Sequence, residues 1–330
     1  MKRICLFAGY DKDGIVYDYV VYFLKELSTV SDVYYMADNH LNKKEKDKIL
    51  EYTKGVYGYH HGKYDFGSWQ QLIDIVGFDN ILEYDELILT NDSIFGPMYP
   101  IKKLFEEIEK DKTWDICGLN HNILTDYGKI DAYLNSYFLI LKKNAFNSNI
   151  FKHIISSLKD LKNNKIDYSK KYEFPFAKYF YDSGYKVKSY MGEMGCYNEW
   201  YKPSKINKNR LFPFIKKKIF IHSSFNCNDK NMQKLYKQSK AYYYKKYVEN
   251  NSFTYDVNLI KNFLKKNNIS EFKLWLYDFF QINTLKDIRR WIIQIKLNKK
   301  YKIVRLLGIY FINEVRYTEV SPITIIDSNH

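Results

Sequence analysis

The sequence predicts an α/β protein, with a mostly parallel sheet covered by helices on both faces and a C-terminal helical region behind it. Three observations predict it. Short apolar runs alternate with segments of helical spacing over the first part of the chain, the pattern of parallel strands joined by crossover helices. The run Leu87-Ile-Leu is apolar, as suits a strand buried on both faces, and Thr90-Asn91-Asp92 follows at once. From about residue 230 to 317 the alternation gives way to long, basic, aromatic sequence that reads as helix. The polar stretch Lys202 to Arg210 reads as a linker, dividing an α/β domain at 1–205 from a basic, aromatic, mainly helical region at 206–330.

Residues 3–9 are a buried first strand, and Asp11 and Asp13 follow its end. Val16, Tyr19, Val20, Phe23, Leu24 and Leu27 recur at helical spacing. Strands follow at 32–37 and 55–59, with a charged helix at 43–52 between them. A helix at 69–76, a strand at 86–90, a helix at 101–110 and a strand at 114–119 continue the alternation. Beyond Asp131 the pattern changes: a strand at 137–141, a helix at 145–161, a helix at 174–182 closed by Gly184, and a strand at 187–191.

Composition bounds the class. A chain of 330 residues with 46% hydrophobic residues can bury a sizeable core and does not read as disordered. The net charge of +14 is either a solvated lysine surface or the complement of an acidic substrate, an anionic membrane or nucleic acid. Cys5, Cys117, Cys196 and Cys227 are far apart, form no metal-binding pair, and read as reduced residues of a cytoplasmic protein. No signal peptide and no apolar run long enough to span a membrane is visible. Walker, dinucleotide-binding, serine-hydrolase and zinc-protease motifs are absent, as is any recognised nucleic-acid module, so no nucleic-acid partner is expected.

The candidate chemistry lies in a few places. Asp92 stands past the C-terminal end of a buried strand, where open α/β sheets bind ligands. It either ligates a divalent cation that bridges to a diphosphate or belongs to a plain turn or helix cap. Tyr64-Asp65-Phe66-Gly67-Ser68-Trp69 opens a helix; Asp65 either contacts a ribose or base or caps the helix, and Gly67 permits close backbone approach. His60 and His61 are adjacent, so at most one faces any given site. His121 is a lone candidate, as is His222, which follows Ile219-Phe-Ile221 and could ligate metal from a strand end. Glu173 precedes a helix as a general base or as a simple dipole partner. Lys216-Lys-Lys218 either neutralises phosphates or is solvated.

Taken in order, Gly62-x-Tyr-Asp-Phe-Gly-Ser-Trp69, Tyr84-Asp-Glu-Leu-Ile-Leu-Thr-Asn-Asp-Ser-Ile-Phe-Gly-Pro97, Asp115-x-x-Gly-Leu119 and Leu134-Asn-Ser-Tyr-Phe138 resemble the rhamnan synthesis protein F family. Pro213-Phe-Ile-Lys216 resembles a further element, and the resemblance covers roughly residues 1–220. It implies a GT-A-like, Rossmann-type nucleotide-diphospho-sugar transferase, often a rhamnosyltransferase, that builds bacterial O-antigen, capsule or wall polysaccharide. In that setting Asp11, Asp65, Gly67, Asn91, Asp92, Ser136 and Lys216 surround the nucleotide-sugar, and Glu173 is the base of an inverting transfer. Asp92 and His222 are the candidate ligands of Mn²⁺ or Mg²⁺, although Asn91-Asp92 departs from a full Asp-x-Asp. His61 stands where such proteins often have Asn. The implied partners are a nucleotide-diphospho-sugar donor and a saccharide or lipid-linked saccharide acceptor.

Trp275, Leu276, Phe279, Phe280, Trp291, Leu306 and Phe311 are interleaved with Lys and Arg. They either hold the protein peripherally at the inner face of the cytoplasmic membrane or pack on its core. The alternative of another class is a non-catalytic scaffold of a polysaccharide assembly complex.

Overall fold

Seven strands form one central sheet in which six run the same way and one runs against them. In this computed structural model the described residues are 1–126, 129–160, 168–190, 213–217 and 254–267, together with three C-terminal strands. In chain order the elements up to the first site are β1 (Arg3–Gly9), α1 (Asp18–Ser28), β2 (Asp32–Ala37), α2 (Lys43–Asp47), β3 (Gly55–Gly58), α3 (Tyr64–Val76), α4 (Phe78–Ile81) and β4 (Glu86–Asn91). Then come β5 (Ile94–Phe95), α5 (Ile101–Glu109), β6 (Ile116–Gly118), β7 (His121–Asp126), β8 (Lys129–Leu134) and β9 (Phe138–Lys142). Helices α6 (Lys143–Phe146), α7 (Asn149–Ser157) and α8 (Phe176–Asp182), and strands β10 (Val187–Ser189) and β11 (Ile215–Lys216), complete the body around the sheet with α9 (Asn258–Lys266).

The sheet order is β10-β6-β9-β4-β1-β2-β3, with β9 antiparallel to both β4 and β6. This is the mostly parallel sheet the sequence predicts. The alternation of side chains along β1 explains the two covered faces. Ile4, Leu6 and Ala8 join Leu87, Leu89, Phe66, Trp69 and Phe180 in one buried cluster, under α3, α7 and α8. Phe7 points the other way, onto Phe23 of α1 at 5.4 Å between ring centroids, and Phe105 of α5 meets Phe138 of β9 on that face. Each such fully buried side chain contributes about 1.5–3 kcal/mol by leaving water.

Two helix starts differ from the sequence reading. Helix α3 begins at Tyr64, five residues earlier than the apolar spacing suggests, so Asp65 lies inside its first turn. Ahead of α8, residues Ser169–Glu173 form a single π-helical turn. The β7–β8 hairpin was not signalled by the sequence reading, and its strands pair His121 with Leu134 at the open end. Cys5 and Cys117 are buried free thiols; Cys196 and Cys227 lie outside the described residues.

The chain divides into two compact units, Met1–Glu271 and Phe272–His330. Within the first unit, α9 brings Phe263 against Tyr19 and Phe95, at 5.4 and 5.3 Å between ring centroids. In the second unit, residues 293–297, 301–306 and 309–314 are strand where helix was expected. Strands β12 (Ile293–Leu297), β13 (Tyr301–Leu306) and β14 (Ile309–Glu314) form an antiparallel three-stranded sheet. Ile293-Gln-Ile-Lys-Leu297 alternates apolar and polar residues with period two and is rich in β-branched residues, so it suits a strand better than a helix. No helix among the described residues is long and apolar enough to cross a membrane.

Candidate functional site

The parallel strands β1 and β4 end side by side, Ala8 being in register with Asn91. Their C-terminal ends open into a cleft of about 420 Å³. Gly9, Asp38, His60, Asp65, Asn91 and Asp92 are among the residues that line it. A cleft at the carboxyl ends of parallel strands is where such sheets place ligand chemistry.

Asn91 is the last residue of β4, and both ends of its amide are used. Its Nδ2 donates to Asp65 Oδ2 at 2.6 Å, and its Oδ1 accepts from Ser93 N and Ser93 Oγ at 3.0 and 2.6 Å. Enclosure, and next the negative charge of Glu173, push the Asp65 carboxyl up to about 6, against the opposing pull of Lys216. Glu173 comes from the π-helical turn. Ser136 Oγ donates to its Oε1 and Ser169 Oγ to its Oε2, both at 3.1 Å, which fixes the carboxylate in place. Thus two hydrogen-bonded groups, Asp65 with Asn91 and Glu173 with Ser136 and Ser169, stand near enough for the Glu173 charge to act on Asp65.

Asp92 follows the strand. Its Oδ2 accepts from Tyr10 N at 3.2 Å, and its backbone carbonyl accepts from Tyr19 Oη at 3.0 Å. Lys217 Nζ stands 3.5 Å from the same Oδ2. Lys216 reaches the other side of the turn, donating to Ser93 Oγ at 3.2 Å and lying over the Tyr137 ring at 4.2 Å. Asn91-Asp92-Ser93 caps no helix, and the bond from Ser93 N to Asn91 Oδ1 makes it an Asx turn. Helix α5 is instead capped by Glu26, whose Oε2 accepts from Ile101 N at 2.9 Å.

Of the expected ligand-binding residues, Asp65, Asn91 and Asp92 line the cleft, whereas Asp11, Gly67, Ser136 and Lys216 are not among its lining residues, nor is Glu173. The Asp11 carboxylate accepts from Asp13 N and Ile15 N at 2.9 and 3.2 Å, so it shapes its own loop. Gly67 does allow a close approach, but to its own helix turn. A Cβ there would lie 2.2 Å from Lys63 Cβ and 3.3 Å from the His61 ring. His60 lines the cleft and the His61 side chain is buried, yet both approach the Asp38 carboxylate, at 3.1 and 3.7 Å. His61 Nδ1 accepts from Lys63 N at 3.1 Å and its Nε2 lies 3.0 Å from Ser68 Oγ. Burial holds its pKa below the ordinary imidazole value. His121 opens β7 and is not among the residues that line the cleft.

Asp38 and Ser169 were not singled out by sequence, and Lys217 was only as one member of the run Lys216-Lys-Lys218. Asp38 accepts from His61 N and Gly62 N at 2.7 and 2.8 Å, shaping the loop that carries Asp65. It directly follows β2, so the strand-end rule that picked out Asp92 could have found it. Ser169 carries no local signal. Lys217 sat inside a basic run with nothing to rank it above its neighbours.

A divalent cation needs several oxygen or nitrogen ligands converging on one point. Here Asn91 replaces one acid and its amide is already committed, while Asp92 faces an ammonium group. Among the described residues no group of three or more His, Cys, Asp or Glu could hold a metal ion. His222 lies outside the described residues. The described residues therefore do not fit a bound divalent cation.

The family model for rhamnan synthesis protein F matches residues 33–314. No curated protein matches the chain in sequence. Among solved structures, the apo-form glycosyltransferase GlyE of Streptococcus pneumoniae TIGR4 is 11% identical, with a TM-score of 0.39. That match covers 82% of this chain and 64% of GlyE, so the chain spans less than two thirds of that protein. A putative nucleotide-diphospho-sugar transferase from Desulfovibrio desulfuricans G20 is 13% identical, covering 63% of this chain and 89% of that one, with a TM-score of 0.33. Core-mannan synthase A from Aspergillus fumigatus, in its Mn/GDP form, is 9% identical, covering 56% and 71%, with a TM-score of 0.29.

Proposed function

The chain belongs to the rhamnan synthesis protein F family, and from that premise we propose that it is a nucleotide-sugar-dependent glycosyltransferase of polysaccharide synthesis. The donor is a nucleotide-diphospho-sugar, of rhamnose, another deoxysugar or a hexose, bound at the carboxyl ends of β1 and β4. The acceptor is a growing bacterial surface polysaccharide or a lipid-linked oligosaccharide. A cytoplasmic site at the inner face of the membrane suits such an acceptor, and a net charge of +14 would favour an anionic surface there.

One observation supports the chemistry above the rest. Glu173 is held by two hydroxyls close enough to Asp65 that its charge raises the Asp65 pKa. A fixed carboxylate beside a strand-end cleft suits the general base of a single displacement. In this reading Glu173 takes the proton of an acceptor hydroxyl. The oxygen attacks the anomeric carbon, the bond from that carbon to the diphosphate oxygen breaks, and the nucleoside diphosphate leaves with the electron pair. A single displacement inverts the anomeric centre. Asp65 and Asn91, locked together, form the floor against which the donor sits.

The test is a donor-hydrolysis and transfer screen across dTDP-, UDP-, GDP- and CMP-sugars with wild type and Glu173→Gln. The expected outcome is turnover of one donor class, falling roughly 10²–10⁴-fold in the variant while nucleotide binding persists. Near-normal turnover by Glu173→Gln would remove the base assignment, and no turnover of any donor would remove the transferase reading.

A further inference from the structure

We infer that the positive charge meeting the donor's diphosphate is carried by Lys217, with Lys216 beside it, in the place where a metal-dependent enzyme would hold its cation. This rests on the proposed reading of the cleft as a nucleotide-sugar site.

The segment 213–217 is fastened to the strand-end turn by its backbone. Pro213 O accepts from Met98 N at 2.8 Å, Ile215 and Lys216 pair antiparallel with Phe95 and Ile94, and Lys217 N donates to Ser93 O at 2.9 Å. Successive side chains of an extended segment point to opposite sides. The two lysines consequently flank the 91–93 turn, Lys216 at Ser93 and Lys217 at Asp92.

Lys217 is held in place before any ligand arrives. Its Nζ donates to Tyr19 Oη at 2.7 Å, and it lies 5.8 Å from the centre of the Phe263 ring. Tyr19 in turn donates to the Asp92 carbonyl at 3.0 Å, so lysine, tyrosine and aspartate form a closed ring of contacts. The Lys217 and Asp92 side chains are only 17% and 16% exposed, so water screens this pair less than it would at the surface. An ammonium has three N–H donors. Among the described residues Tyr19 takes one and Asp92 faces the group at 3.5 Å, and in the proposed complex a phosphate oxygen takes another.

This arrangement disfavours a metal and favours a diphosphate. A divalent cation approaching Asp92 would meet a fixed ammonium at contact distance from the same oxygen. The leaving nucleoside diphosphate gains negative charge as the sugar departs, and preorganised cations aimed at that charge stabilise the transition state. Lysine is a common point-charge partner for phosphate.

The experiment is isothermal titration of the full chain with UDP, GDP, dTDP and CDP, in excess EDTA and again in Mn²⁺. Wild type is compared with Lys217→Met and with Lys217→Arg, which keeps the charge should the packing on Tyr19 demand a long side chain. The expected result is one nucleotide bound equally well in EDTA and in Mn²⁺. Lys217→Met should weaken it about ten-fold or more, while Lys217→Arg stays within a few-fold of wild type. Wild-type binding that appears only with Mn²⁺ would overturn the inference and leave the donor reading standing. Metal-free binding that Lys217→Met does not weaken would overturn the role of Lys217. Absence of binding under both conditions would overturn this inference and the donor reading together.

Discussion

Asn91 and Asp65 are joined by a 2.6 Å hydrogen bond from the end of β4 to the first turn of α3. The bond ties the two segments of the cleft that chain order separates by a strand and two helices. It also gives the enclosed Asp65 carboxylate a neutral donor. That helps the group remain in place although burial and Glu173 both oppose its charge.

Asp65 makes stability depend on pH in a stated direction. Its folded pKa of about 6 lies above the ordinary carboxylate value near 4. Between those values the native protein binds more protons at Asp65 than the unfolded chain does, so this group's contribution to stability falls as pH rises through the window. Below about pH 4 the penalty is absent, and above about 6 it is complete. Melting curves of wild type and Asp65→Asn from pH 4 to 7 should diverge, with the variant gaining on wild type as pH rises. Parallel curves would show that Asp65 titrates normally.

Gly67 is required for packing within α3. An added methyl would strike Lys63 Cβ at 2.2 Å, near the backbone, where a side chain cannot swing away. Gly67→Ala should cost about 1–3 kcal/mol in urea unfolding, as overpacked sites do. It should also displace the turn bearing Asp65 and so weaken nucleotide binding. Unchanged stability would mean that the first turn of α3 is looser than this geometry requires.

Arg3 neutralises a carboxylate that has almost no access to water. Its Nε donates to Glu86 Oε2 at 2.6 Å, the Glu86 side chain is 1% exposed, and Arg3 also pairs with Glu109 and covers the Phe105 ring. Glu86 Oε1 has no hydrogen-bond partner among the described residues. Arg3→Met leaves that buried charge without its main partner and should destabilise by about 3–5 kcal/mol. Adding Glu86→Leu should recover most of the loss. A double variant as unstable as Arg3→Met would show that Arg3 acts through packing alone.

Much of the fold is legible along the chain because its cause is local. Apolar runs such as Leu87-Ile-Leu read as buried strands, and the spacing of Tyr19, Phe23 and Leu27 marks the buried face of α1. The start of α3 was harder to read. Tyr64 is an exception to local preference, adopting a positive φ of 53°. Its helix is anchored from outside, by the Tyr168 hydroxyl accepting from Phe66 N at 3.2 Å. In the second unit, aromatic and basic content suggested helix where the period-two alternation of 293–314 makes strands.

The sequence by itself determined the alternation of strands and helices up to β6, the family, and the place of Asp92 beyond the end of a buried strand. These follow from backbone periodicity and ordered motifs, which are properties of neighbouring residues. Tertiary structure alone decided that Asp11 serves its own loop, that Ser136 and Ser169 hold Glu173, and that Lys217 stands against Asp92. Those meetings depend on sheet order and on the register of β11 against β5. A shift of one residue in that register would exchange the sides on which Lys216 and Lys217 emerge. No local spacing carries that information, because it resides in the packing of segments far apart in the chain.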